Sequence, residues 1–367
     1  MKKIVIAPDS FKGSLSAVSF CQVARQALPW AQVVCLPIAD GGEGTLDCFR
    51  TALGAKTHTV TVKGPWGEPR QAQYVSFGTT AVIELAQAAG LSLVKEHPDP
   101  GRTTTYGVGQ LMAAAVREGF RELLLGLGGS CTNDAGTGAA CALGVKFWNR
   151  DGKPFVPTGL TLADIGGFDC AGARELLKDC RVTAMCDVDC KFWEAARIFA
   201  PQKGADPAMT QALERNLLAL QPQLGQAAQT PGSGAAGGFG AAVIAFFGGS
   251  LRPGIRLALD TVGFDRALEG ASLVITGEGS FDRQSLRGKA VSGVIDRARQ
   301  RGVPVLVLAG RVEPGMALPE DVTVRCINQP GESLEHACRF VRQNLAQAIS
   351  QALERQSLPC EREVARR

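Results

Sequence analysis

Five short apolar runs constrain this chain more than any other feature: KIVIAP (3–8), AQVVCLPI (31–38), ASLVIT (271–276), VPVLVLAG (303–310) and DVTVRCI (321–327). Amphipathic stretches of helical period separate them, over 15–28, near 43–53, near 289–301 and over 333–354. Short strands without polar alternation fit a parallel sheet covered by helices on both faces. The centre of the chain reads differently. Residues 58–85 carry the turn signals GPWGEP and FGTT between shorter strands, as a hairpin or meander does. Beyond them follow a helix near 105–118, the strand ELLLGL (122–127), a helix from about 133 and a strand near 182–186. Further helices are expected near 207–220 and 235–247.

A chain of 367 residues has room for two cores. The economical arrangement makes one α/β domain from both chain ends, with a second α/β domain inserted between them; two sequential domains are the alternative. Glycine, at 44 residues, implies many tight turns and close backbone approaches. The net charge of +4 comes without a basic block or an aromatic-interleaved basic stripe, which argues against nucleic acid or an anionic membrane surface as partner. Twelve cysteines are scattered without a CxxC, and Cys186 and Cys190 have no nearby histidine to complete a zinc site. The start MKKIVIAPDS holds too few apolar residues for a signal peptide, and AAGGFGAAVIAFFGG (235–249) is too short and glycine-rich to span a bilayer. A cytoplasmic protein with reduced thiols and no membrane partner is the expectation.

In an open parallel sheet, ligands bind beyond the carboxyl ends of the strands. Asp9, Ser10 and Lys12 fall there after the first strand, and Asp40, Gly41, Gly42 and Glu43 after the second. The bland alternative is that Asp9, Ser10 and Asp40 only cap the helices that follow. In GLGGSCTNDAGTG (126–138), Gly128, Gly129 and Ser130 approach a helix start expected near Asn133, where backbone N–H groups can cradle phosphate or carboxylate. Ser130 and Thr132 add hydroxyls; a tight turn with an Asn133 or Asp134 cap is the alternative. PGSGAAGGFG (231–240) holds a formal GxGxxG at Gly232, Gly234 and Gly237, weak as a dinucleotide fingerprint because no strand precedes it. In TGEGSFDRQSLRGK (276–289), Glu278 and Asp282 suit a metal or a proton, and Arg287 and Lys289 suit phosphate. Neither glycine loop reads well as a nicotinamide site, and no G-x-x-x-x-G-K-[ST] occurs. His58, His97 and His336 lie in none of these loops, which weakens Ser–His, Cys–His and histidine–metal mechanisms. Acids, lysines, hydroxyls and glycine loops suit phosphoryl transfer, where positioning and charge neutralisation carry the catalysis.

The segments PDSFKGSLSA, ADGGEGT, GLGGSCTND, APQKGA, GSGAAGGFGA, LRPGI, VITGEGSFDRQS and GKAVSGV, in this order to about residue 310, resemble the bacterial class I glycerate kinases. The resemblance implies ATP- and Mg2+-dependent phosphorylation of D-glycerate, most often to 2-phosphoglycerate, in a cleft between two α/β domains. It implies two α/β domains, one flavodoxin-like and built from both chain ends, in agreement with the split read from periodicity. That domain takes 1–65 with 266–355, an inserted α/β domain with a mixed sheet takes 66–265, and the last dozen residues, 356–367, read as a solvated flexible tail. Carried over by position, the resemblance gives Asp187 as base with Asp40 as rival, and Lys12 as a catalytic cation. Asp9, Ser10, Gly41, Gly42 and Lys203 would meet the acceptor. Gly128, Gly129, Ser130, Thr132, Asn133, Asp134, Gly234, Gly237 and Lys289 would meet nucleotide, and Glu43, Glu278 or Asp282 metal.

Two departures stand out. Ala135 occupies a position where the family usually repeats glycine, and CDVDCKFWEAARIFAPQKGA (186–205) lacks the usual Asn-Pro-Leu stretch and is a few residues shorter. The second leaves two further readings open: a kinase of another small hydroxy acid, or a catalytically impaired homologue that binds glycerate or nucleotide.

Overall fold

The fold is described from a computed structural model, over residues 1–283, 285, 290–316 and 318–354. Arg287, Lys289 and the expected tail 356–367 lie outside the described residues. The chain divides into two compact units, Met1–Ile38 with the chain from Leu259 onward, and Ala39–Ala258. The changeovers expected at 65/66 and 265/266 thus fall at 38/39 and 258/259. The reason is local: the strand Lys56–Lys63 pairs antiparallel with Pro69–Phe77, and the helix Thr45–Leu53 packs on that same sheet.

In the first unit, five parallel strands run in the order Val322–Cys326, Val305–Val312, Ala271–Phe281, Lys3–Ile6, Gln32–Cys35. Counted along the chain this is the order 2-1-3-4-5 of flavodoxin-like sheets. Ile4, Val5 and Ile6 are exposed by only 1%, 0% and 0%, so both faces of the first strand are covered, as its unbroken apolar run requires. Phe20, Leu28, Leu345 and Ile349 from the helices close one face over Ile6, Ile275 and Leu308. Ser16, not Asp9 or Ser10, caps the helix Ala17–Ala27: its hydroxyl accepts from the Ser19 amide at 3.1 Å. Between them the chain doubles back through a Phe11–Leu15 bridge, with Gly13 at φ +81°.

In the second unit, the strands Ser250–Arg252, Arg181–Met185, Glu122–Gly126 and Thr80–Glu84 are parallel, and Pro69–Phe77 and Lys56–Lys63 continue the sheet antiparallel. The turn-rich meander and the apolar strands therefore form one mixed sheet, as expected. Tyr74, Leu111, Leu125, Phe239 and Phe246 centre its core. A separate three-stranded antiparallel sheet, Pro154–Phe155, Lys146–Asn149 and Ile165–Asp169, lies outside the expected elements; its strands are too short to show a period. The helix expected from about 133 begins only at Thr137. Asp134 holds the preceding residues as a loop, and Ala135 and Gly136 take φ +54° and +69°, which no right-handed helix accommodates. The eleven described cysteines are all free thiols. No described helix is long and apolar enough to cross a membrane.

Candidate active site

A cavity of about 370 Å³ opens at the carboxyl ends of the strands Glu122–Gly126 and Arg181–Met185. All of its lining residues belong to the second unit. Three glycines shape its floor by letting backbone meet backbone. A methyl on Gly41 would lie 2.7 Å from Met185 Cβ, one on Gly126 2.6 Å from the Gly41 carbonyl, and one on Gly128 2.5 Å from Gly42 Cα. The Gly128 amide also donates to the Gly41 carbonyl at 2.9 Å. The Asp40–Gly42 loop is thereby clamped on the loop that leaves the central strand. That second loop is stitched on its far side, where Leu91 N–H donates to Gly129 O and Cys131 N–H to Ala89 O.

Lys203 enters the cavity wall from behind. It is 3% exposed, and its ammonium donates to Ser130 Oγ at 2.8 Å and to the Thr132 carbonyl at 2.7 Å. Burial brings its pKa down to about 8, opposed by the nearby Cys131, Asp134 and Cys190. It remains largely protonated at neutral pH, a cation anchored beside a hydroxyl and the Gly128–Gly129 backbone. The segment that departs from the usual family pattern delivers it. A tight turn over Phe192–Glu194 and a helix Ala195–Phe199 run into Pro201–Lys203, with Phe192 fully buried under Gly238. Phe199 and Gln202 from this segment also line the cavity.

Asp187 and Asp40 line the cavity together. Gly254 sets the pair: its amide donates to Asp187 Oδ1 at 2.7 Å, while a methyl on it would lie 2.2 Å from the Asp40 carbonyl. Asp187 is solvent-accessible as a residue. The atoms packed round its carboxylate nevertheless push its pKa up to about 6, and the charge of Asp40 adds to this. The amides of Gly254 and Ile255, at a helix start, pull the other way. A carboxylate of this kind is mostly ionised at neutral pH yet basic enough to take a proton. Asp40 does not cap the helix Thr45–Leu53; it accepts from Gly42 N–H at 3.3 Å, and the helix amides go to Glu84 instead.

Several expected residues lie elsewhere. Thr132, Asn133 and Asp134 are fully buried and do not line the cavity. Asp134 is spent on the protein itself, accepting from the Thr105 amide and hydroxyl, each at 2.8 Å, and from Gly136 N–H at 3.1 Å. Burial raises its pKa. Gly234 and Gly237 serve packing: a methyl would lie 2.4 Å from the Lys191 carbonyl and 2.2 Å from the Thr132 carbonyl, respectively. The cavity wall at this loop is Ala235 and Ala236, the latter in a left-handed conformation at φ +51°. Glu43 stands over Gly129 outside the lining.

In the first unit, Asp9 N–H donates to Gly277 O at 2.9 Å, which sets Asp9 and Ser10 beside the strand that carries Glu278. Lys12 is exposed on the doubled-back loop, and a methyl on Gly279 would lie 3.7 Å from the Lys12 backbone nitrogen. Asp282 accepts from Ser285 N–H at 3.0 Å within a tight turn. Among the described residues no three histidine, cysteine, aspartate or glutamate side chains gather into a metal cage. Gly254 and Glu84 escaped the sequence reading. The Pro-Gly pair in LRPGI was the available signal for the first; an acid closing the apolar run TAVIE was the signal for the second.

A mixed α/β framework carries a glycine-floored cavity lined by an anchored cation and two carboxylates, an arrangement of the kind α/β enzymes place at strand ends. The comparisons with known proteins sharpen this. Residues 4–356 match the model of the glycerate kinase family. The chain is 40% identical over 361 residues to a glycerate kinase of Bacillus cereus, covering 94% of this chain and 95% of that protein. It is 40% identical over 338 residues to the glycerate 2-kinase of Escherichia coli, covering 88% and 87%. A crystal structure from Salmonella typhimurium LT2, described as a glycerate kinase 2, superposes with a TM-score of 0.81 at 34% identity, covering 97% of this chain and all of that one. The chain belongs to the glycerate kinase family; it is an enzyme, a kinase of that family.

Proposed function

We propose that this enzyme transfers the γ-phosphoryl group of Mg2+-ATP to a hydroxyl of D-glycerate, with 2-phosphoglycerate as product. The observation that carries the reading is the convergence of Asp187, Asp40, Lys203 and Ser130 on one glycine-floored cavity, in a chain of this family. Asp187 takes the proton of the attacking hydroxyl, a role worth roughly 10²–10⁴-fold in rate. Lys203 and the Ser130 hydroxyl face an anionic group, the acceptor carboxylate or a phosphate. The Gly128–Gly129 backbone, with no side chain in the way, lets phosphate oxygens approach closely. Lys12, Asp9 and Ser10 keep the acceptor and charge-neutralising roles that the resemblance gives them, and Glu278 and Asp282 keep theirs toward metal.

Magnesium asks for little protein. It retains waters, takes phosphate oxygens and needs only one or two carboxylates, so a ready-made cage is not required. The donor chemistry fits: the charge of Asp40 already bears on Asp187, and a cation beside Asp40 would relieve that repulsion. When bound, Mg2+ would neutralise charge on the transferring phosphoryl group.

Purified enzyme mixed with ATP, Mg2+ and D-glycerate is expected to release ADP only when glycerate is present. Proton-coupled phosphorus NMR then reports the position: a phosphate on the 2-oxygen couples to one proton and gives a doublet, one on the 3-oxygen couples to two and gives a triplet. A doublet supports the reading, a triplet overturns the assigned product, and no glycerate-dependent ADP overturns the activity.

A further inference from the structure

Glu84 is a buried acid that the proposed chemistry does not use. It ends the strand Thr80–Glu84, is 3% exposed, and pairs in register with Gly126, the glycine that underlies Gly41. From there its two carboxylate oxygens accept separate backbone amides, Gly44 N–H at 3.2 Å and Leu46 N–H at 3.4 Å. These are orphan donors at the start of the helix Thr45–Leu53, whose own N-cap is Gly44, at φ +93° and without a side chain to offer. The acid thus caps, from a different element, the helix that ends the Asp40–Gly44 loop. The loop is held at two points only a few residues apart: by the glycine clamp at Gly41–Gly42, and by Glu84 at Gly44–Leu46.

We propose that Glu84 is a positioning residue for phosphoryl transfer, its carboxylate fixing the Asp40–Gly44 loop, and so Asp40, on the cavity wall. The inference rests on the proposed reaction for its kinetic consequences but not for the loop itself. Only the ionised carboxylate can accept both amides. Protonated, it presents one good acceptor, and its own hydrogen points among donors. The charged groups that bear on it are Glu43 and Asp47, both acids, and no lysine, arginine or histidine forms an ion pair with it among the described residues. Burial, with these two charges adding, pushes its pKa up to about 7, against the pull of the two amides. The loop is therefore held at pH 8 and released as the pH falls through neutrality.

The test compares wild type, Glu84→Gln and Glu84→Asp by steady-state kinetics from pH 5.5 to 9, with hydrogen–deuterium exchange over the 40–48 segment. Glutamine keeps the shape but turns an N–H donor toward one of the two amides; aspartate keeps the charge but is too short to reach. Both variants are expected to lose roughly 10–100-fold in kcat at pH 8, the scale of a slight misplacement of reacting groups. Glu84→Gln should also lose the part of the acid limb of kcat that lies near pH 7, and both should speed exchange at Gly44 and Leu46 while the strand amides stay protected. Wild-type kcat, pH profile and exchange in Glu84→Gln would overturn the inference. So would a fall in kcat with the acid limb unmoved and protection lost throughout the unit, which marks a merely structural residue. The exchange reports on the loop even if wild type fails to phosphorylate glycerate, an outcome that would instead overturn the proposed reaction.

Discussion

Asp187 and Glu84 are both carboxyls raised by burial, at about 6 and about 7, yet the structure holds them differently. Asp187 opens on the cavity with a helix start behind it; Glu84 is sealed against the protein on every side that matters. For a carboxyl raised in the folded state, the folded protein binds the proton more tightly than the unfolded chain does. The stability it contributes is full below its unfolded value near 4.5 and falls as the pH rises from there to about 7. At about 1.4 kcal/mol per pH unit, most of that fall, about 2–3 kcal/mol, lies between pH 5 and pH 8. Glu84→Gln carries no such charge. Its stability relative to wild type, from urea unfolding, is expected to improve by that amount between pH 5 and pH 8; an unchanged difference would show that Glu84 is not raised. Lys203 supplies the opposite case, a buried cation with two protein partners. Lys203→Met keeps the apolar stem and should lower kcat/KM for glycerate roughly 10²-fold, the scale of losing one fixed donor to a developing anion. A variant with wild-type kcat/KM would remove Lys203 from the site.

Loops supply most of this cavity's lining, with a strand end and short helical segments supplying the rest, and the closest loop approaches are set by where side chains are missing. Gly41 combines φ +99° with 2.7 Å to Met185 Cβ, so Gly41→Ala faces both backbone strain and overpacking. A loss of about 2–4 kcal/mol is expected in chemical denaturation. Ala135 is the reverse case, a side chain already held at φ +54° beside Gly237, whose carbonyl accepts the Ala135 amide at 3.0 Å. Ala135→Gly relieves that strain while adding freedom to the unfolded chain, and the two nearly cancel. It should stay within about 1 kcal/mol of wild type; a large loss would mean that Ala135 is not strained. Little of this was legible in the sequence. The glycines announced themselves by type, but which of them touch depends on neighbours far along the chain, as Gly41 with Met185 and Gly237 with Thr132. Asp134 and Asn133 looked like a helix start because acids and amides cap helices. Here Asp134 is occupied by Thr105, and the helix starts three residues later.

At the scale of the molecule, periodicity carried most of the information. Unbroken apolar runs marked the five parallel strands of the first unit and Glu122–Gly126 of the second, and turn signals marked the meander between 58 and 85. The meander's last strand, Thr80–Glu84, pairs parallel with Glu122–Gly126, and the edge strand Ser250–Arg252, only three residues long, was not expected. What periodicity cannot report is contact between elements distant in the chain. The helix Thr45–Leu53 sits on the second unit's sheet, and Gly254 reaches back to Asp40 and Asp187. The motif residues Asp40, Ser130, Asp187 and Lys203, spread over more than a hundred and sixty positions, do line one cavity. The central claim is that the Asp187 carboxylate in that cavity accepts the proton of the glycerate hydroxyl. Turnover of wild type and Asp187→Asn across pH 5–9, at saturating Mg2+-ATP and glycerate, tests it most directly. An acid limb of wild-type kcat that includes a group near pH 6, with kcat of Asp187→Asn down by roughly 10²–10⁴-fold and its KM for glycerate little changed, is the expected result. Equal turnover in the two proteins, with the same acid limb, would contradict it.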